Sequence, residues 1–221
     1  MDKKKIRRNK ISANRKKNKY FVMSSKTFEQ MKGNLRLFLL AASFAAGMLA
    51  GAVLIKNAGF DTVGDDLIYI ADAYKKLRCE QSFLQNLCYS MLAEGVMLII
   101  SLFLGFSSIG SPLVCLLPFI KGIGLGFFCG YLYSEYALQG LGYSMLLVVP
   151  AQSIANLTLI VSCNESCGFS LSVCREGVLS NPLRKEETRL YLLKHGVYLI
   201  MMMASALIGA SFCSVFSSFF R

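Results

Sequence analysis

Five stretches of this chain stay apolar for about the length a helix needs to cross a bilayer, roughly 20 residues for a hydrocarbon core about 30 Å thick. They run over about 37–55, 87–106, 112–133, 141–162 and 196–217. The first is uncharged and lies between Arg36 and Lys56, the second holds one acid, Glu94, and the third one base, Lys121. The fourth is uncharged but carries Pro150, Gln152 and Asn156 in its middle, and the fifth is uncharged throughout. Backbone inside lipid must satisfy its own polar groups. The expected fold is therefore an all-α integral membrane protein with about five transmembrane helices.

Charge is unevenly spread. Residues 1–36 hold 13 Lys/Arg against Asp2 and Glu29, a balance of +11 that equals the net charge of all 221 residues. Basic tails that bind nucleic acid usually accompany a soluble reading domain. None fits here, so no nucleic acid is expected and anionic lipid on the cytoplasmic face is the expected partner of the tail. Lys/Arg bias orients membrane proteins. With the N-terminus cytoplasmic, 18 Lys/Arg fall inside and five outside, so the expected topology is N-terminus in and C-terminus out, in a bacterial inner membrane. The division is a basic, disordered tail over 1–34 and a membrane domain over 35–221. Met23 and Met31 are alternative starts, which leaves translation of residues 1–30 open. The charged region and apolar run are both longer than in a signal peptide, so the first span is expected to stay as an anchor.

Two connections are long: an outer loop over 56–86 and a cytoplasmic loop over 163–195. In the outer one Leu67, Ile68, Ile70, Ala71, Tyr74 and Leu77 recur at near-helical spacing beside Asp65, Asp66, Asp72 and Lys75, which predicts a short amphipathic helix at the membrane surface. In the inner one Asn181-Pro182 reads as a helix start, with Arg184–Lys194 leading into the fifth span.

A base at mid-bilayer costs several kcal/mol unless paired or hydrated, so Lys121 is a functional candidate. Five residues, 107–111, join spans two and three and make them antiparallel neighbours. At 1.5 Å per residue Lys121 lies roughly 14 Å and Glu94 roughly 18 Å from that turn. An intramembrane ion pair between them is one reading; snorkelling of each side chain to its nearer surface is the other. Gly122, Gly126 and Gly130 make a groove along one face of the third span. Ser43-Gly47-Gly51 and Ser205-Gly209-Cys213 give matching small faces in spans one and five. Close backbone approach is the main packing device in lipid, so bundle packing is expected, with self-association or a partner as the alternative. Pro150 should kink the fourth span, and Gln152 and Asn156, at i and i+4, share a face.

The eight cysteines (79, 88, 115, 129, 163, 167, 174 and 213) show no Cys-x-x-Cys spacing. Cys163, Cys167 and Cys174 with His195 imitate a zinc set only at irregular spacings, so no metal and no cofactor are expected. A disulfide between Cys79 and Cys88 is conceivable but unforced. Catalytic signatures are missing: one histidine, no Gly-x-Ser-x-Gly, and a Gly-Ile-Gly-Leu-Gly at 122–126 that lies inside a span rather than after a strand. The chain is not expected to be an enzyme.

The run Leu-Leu-Pro-Phe-Ile-Lys-Gly-Ile-Gly-Leu-Gly-Phe-Phe-Cys-Gly at 116–130, Gly47–Gly51 and the Val-Pro-x-Gln-x-x-x-Asn of 149–156 stand in order within five spans. In this the chain resembles the stage II sporulation protein M family of endospore-forming bacteria, over most of 35–221. The basic tail and the cysteine richness depart from that family's usual pattern. The resemblance implies a non-enzymatic membrane scaffold at the septal membrane. It would anchor sporulation proteins D and P, which cut septal peptidoglycan during engulfment. The competing reading is a transport or permease subunit with a polar path through spans two to four.

Overall fold

A computed structural model describes residues 33–56, 69, 72–73, 82–179 and 185–216. The basic tail over 1–32, most of the amphipathic run at 67–77, and Cys79 lie outside the described residues. The chain divides into two compact units, Met1–Phe38 and Leu39–Arg221; only the start of the first helix is described in the former.

The described residues are helical, without strands. Five helices are long and apolar enough to cross a membrane: α1 (Gly33–Lys56), α2 (Phe83–Phe106), α3 (Gly110–Tyr143), α4 (Val149–Leu179) and α5 (Lys185–Phe216). Their apolar side chains supply the length, and local chemistry sets the ends. At the start of α2, the backbone N–H of Ser82 donates to Gln85 Oε1 at 3.3 Å, the return half of a Ser-x-x-Gln start signal. Between α2 and α3 the turn is only Ser107–Ile109, closed by Gly110 N–H donating to Ser107 O at 3.0 Å. A Cβ on Gly110 would lie 1.7 Å from Leu104 O, so no other residue fits.

The α3–α4 connection is tighter still. α3 is two helices broken at Ala137, whose φ of 46° and ψ of −121° reverse the chain. A non-glycine residue held there carries strain of about 1–3 kcal/mol. The chain folds back so closely that a Cβ on Gly140 would lie 1.9 Å from Leu132 O. A five-residue π turn, Ser144–Val148, then leads into α4 just ahead of Pro150. The irregularity expected at Pro150 is thus spent before the proline.

α4 is the central helix: half of its most apolar stretch is buried, against 17% for those of α1 and α2. It packs on α2, α3 and α5, and α2 also packs on α5. One core cluster gathers Leu98, Val114, Leu117, Leu159, Cys163 and Met202; a second, towards the Ala137 turn, gathers Phe128, Tyr131, Leu132, Tyr143, Val148 and Cys213.

The loop read over 163–195 needs correction in its first half, where residues 163–179 continue α4, while the helix expected over Arg184–Lys194 is present as the start of α5. Serines, with Asn164 and Glu165, lower the hydropathy there without breaking the helix, because the serine hydroxyls find partners on the helix or across the bundle. Ser172 donates back to Gly168 O at 3.2 Å, and Ser170 donates across to Ser107 O at 2.7 Å. At 31 residues α4 is about 46 Å long, well beyond a bilayer core.

Candidate functional site

The structure brings Lys121, Glu94 and Gln152 together where α2, α3 and α4 meet. Lys121 Nζ donates to Glu94 Oε1 at 2.5 Å, and Gln152 Nε2 donates to the same oxygen at 3.1 Å. The side chain of Glu94 is 4% exposed and that of Lys121 16% exposed, so the ammonium turns into the bundle rather than towards either surface. Gln152 must present its nitrogen here, since its amide oxygen would face a carboxylate. Asn156, one turn along α4, is also buried. Three side-chain oxygens of this group, Glu94 Oε2, Gln152 Oε1 and Asn156 Oδ1, are buried without a hydrogen-bond partner among the described residues.

A second polar cluster lies nearer the Ser107–Ile109 turn, on α2, α4 and α5. It was not singled out from the sequence. His195 Nδ1 lies 3.1 Å from Tyr191 O, and a carbonyl only accepts, so Nδ1 carries the ring proton and Nε2 accepts. The Tyr191 hydroxyl donates to Leu102 O at 3.0 Å and therefore accepts from Ser166, also at 3.0 Å. That leaves Ser162 to donate to His195 Nε2 at 3.1 Å, while accepting from Ser101 at 2.8 Å. Every proton in this chain has an acceptor. Tyr191 also stacks on Phe169 at 4.2 Å and meets Phe106 edge-on at 5.5 Å, with its hydroxyl laid over Gly105. The spacing Ser162-Ser166-Ser170, every fourth residue, and Tyr191-His195 at i and i+4 were the signals that could have found it.

The two polar clusters are separated. Leu98 stands between Glu94 and Ser101 on α2, Leu159 between Asn156 and Ser162 on α4, and both belong to the core cluster with Val114, Leu117 and Met202. Of the residues in the zinc-like set, Cys163 and Cys167 are buried in that core, Cys174 is exposed, and both ring nitrogens of His195 are engaged as above. Lys194 and Glu165 form a more exposed ion pair at 2.7 Å, joining α5 to α4.

The glycines sort by partner. A Cβ on Gly47 or Gly51 would lie 2.3 Å from Phe119 O or Ile123 O, and a Cβ on Gly122 or Gly126 would lie 2.3 Å from Phe44 O or 2.1 Å from Met48 O. The groove of α3 is therefore filled by α1, backbone against backbone. Ser43 extends this seam by donating to Cys115 O at 3.2 Å. Gly130 lies beyond it, with its nearest neighbour at 3.5 Å. The small face of α5 packs elsewhere, on α4: Ser205 donates to Ala151 O at 2.7 Å, and a Cβ on Gly209 would be 3.0 Å from Ala151 Cβ.

Neither the curated proteins nor the solved structures contain a match to this chain. A family model, stage II sporulation protein M, matches residues 38–218, a range that holds Glu94, Lys121, Gln152, Asn156 and the whole α1–α3 glycine seam. With most of its length covered, five helices able to span a membrane and these residues inside the match, the chain belongs to the stage II sporulation protein M family.

Proposed function

We propose that this sporulation-related membrane protein is a non-enzymatic scaffold, oriented N-terminus in and C-terminus out, that anchors septal peptidoglycan hydrolases during engulfment. Those hydrolases are the partners the resemblance implies, sporulation proteins D and P. The reading rests on enclosure of the polar groups. The Glu94–Lys121–Gln152 cluster and the Ser162–His195 cluster are each packed inside the bundle and divided by an apolar layer. A transport path favours polar groups that connect, and nucleophilic chemistry favours a serine that substrate can reach. Ser162, beside His195 Nε2, is fully buried and already shared with Ser101. In this orientation the 56–86 segment, which joins the first two spans in the sequence, is the outer loop offered to an extracytoplasmic partner.

The test is crosslinking and pull-down from sporulating cells, with engulfment scored in parallel. Replacing the 56–86 segment should abolish hydrolase recovery and block engulfment. Gln152→Leu, compared at matched membrane levels, should leave both intact. The reverse pattern, engulfment lost with Gln152→Leu and kept when 56–86 is altered, would favour a permease subunit and overturn the scaffold.

A further inference from the structure

We propose that the Glu94–Gln152–Asn156 cluster is a binding site for ordered water at mid-bilayer, with the water donating hydrogen bonds to three buried oxygens. Those oxygens are Glu94 Oε2, Gln152 Oε1 and Asn156 Oδ1. They sit on residues 3%, 7% and 6% exposed. Each is an acceptor, so what satisfies them must donate. An unsatisfied buried acceptor costs about 1–3 kcal/mol, and here three come together, whereas Arg36 Nε and Asn164 Oδ1, the other unpartnered buried polar atoms among the described residues, belong to neither polar cluster.

The hydrogen bonds that reach the carboxylate both go to its other oxygen. Lys121 Nζ and Gln152 Nε2 both donate to Glu94 Oε1, which turns Oε2 away unserved. Turning the Gln152 amide over would set its oxygen against Glu94 and create a repulsion. Gln152 and Glu94 are joined by that hydrogen bond, and Asn156 follows one turn later on the same helix. The three oxygens therefore belong to one locality. Charge chooses between the two kinds of donor. Lys121 already balances Glu94, so a bound metal cation would leave a net positive charge within the bilayer, which lipid strongly disfavours. Water is neutral and gives two donors per molecule, so three acceptors take at least two molecules. The site is independent of the scaffold reading, since water bound here places no demand on the outer loop.

Two measurements on the purified full chain in lipid nanodiscs test this. Radiolytic labelling in 18O water reports buried side chains that touch bound water. Leu98 and Leu117, one turn from Glu94 and Lys121, should take up 18O several-fold more than Leu132, which is also buried but lies in the other core cluster. Uptake no greater than at Leu132 overturns the proposal, and this arm needs no variant. Thermal unfolding of Asn156→Leu gives an opposite sign for the two cases. A hydrated Asn156 makes the variant melt several degrees lower; a dry, orphaned amide makes it melt higher, which overturns the proposal. Wild-type melting should be the same in sodium, potassium and choline chloride at equal ionic strength. A rise specific to one metal cation assigns the site to that cation instead of water.

Discussion

Glu94→Ala should lower the stability of the bundle by about 3–5 kcal/mol, enough to deplete the protein from the membrane. The loss is larger than for an ordinary cavity because the substitution strands a charge. Lys121 Nζ, 2.5 Å from Glu94 Oε1 in the wild type, is left in a low-dielectric interior, and Gln152 Nε2 loses its acceptor as well. Lys121→Ala should cost a similar amount by stranding the carboxylate. The swapped pair Glu94→Lys with Lys121→Glu should recover much of the loss, since Gln152 can turn its amide and accept from the new ammonium. Replacing both with apolar residues should also cost far less than either single change, because a buried ion pair earns little over a packed hydrophobic pair. Membrane levels and thermal unfolding read all four variants. If the single losses simply add in the double variants, the two side chains act independently and the ion pair is not what holds α2 to α3.

The second large effect belongs to the α1–α3 seam. Gly47→Val or Gly126→Val places a Cβ where a backbone carbonyl now stands, 2.3 Å from Phe119 O or 2.1 Å from Met48 O. Backbone cannot rotate away as a side chain can. The helices must part by about 1 Å, and overpacking of this kind costs about 1–3 kcal/mol. In lipid nothing compensates, because the seam depends on close approach rather than on a hydrophobic force. The structure supplies its own controls. Gly124 and Gly196 have nothing within 4 Å of a built Cβ, so Gly124→Ala and Gly196→Ala should be neutral or gain up to about 1 kcal/mol from helix propensity. Gly130→Ala should be tolerated. The readout is crosslinking yield between cysteines placed on α1 and α3, together with melting temperature. Equal damage from Gly47→Val and Gly124→Val would remove the seam from the account.

How much of this was legible in the sequence depends on the physics each feature obeys. Bilayer thickness is a fixed ruler, so uninterrupted runs such as 37–55 and 196–217 mark membrane-crossing helices without knowledge of any contact. The helix extents were harder to read. Residues 163–179 look like a loop on hydropathy, yet Ser162, Ser166 and Ser170 bury their hydroxyls against α2 and α5, which only tertiary structure reveals. The same holds for His195, whose meaning lies in Ser162 and Tyr191 rather than in Cys163, Cys167 and Cys174. Small faces were visible as four-residue spacings, but spacing carries no address. That α3's glycines take α1, while Gly209 takes α4, follows from where the backbones run. The reversal at Ala137 left no trace at all, because an alanine gives no hint of a positive φ.

The scaffold reading requires that the chain thread a bilayer an odd number of times, entering from the cytoplasm. The direct measurement is side-specific: an N-terminal epitope tested by protease in right-side-out vesicles and spheroplasts, and a C-terminal alkaline phosphatase fusion assayed in the same cells. The account predicts a protected N-terminal epitope and an active phosphatase. Both ends on one side of the membrane would mean an even number of crossings and would contradict it.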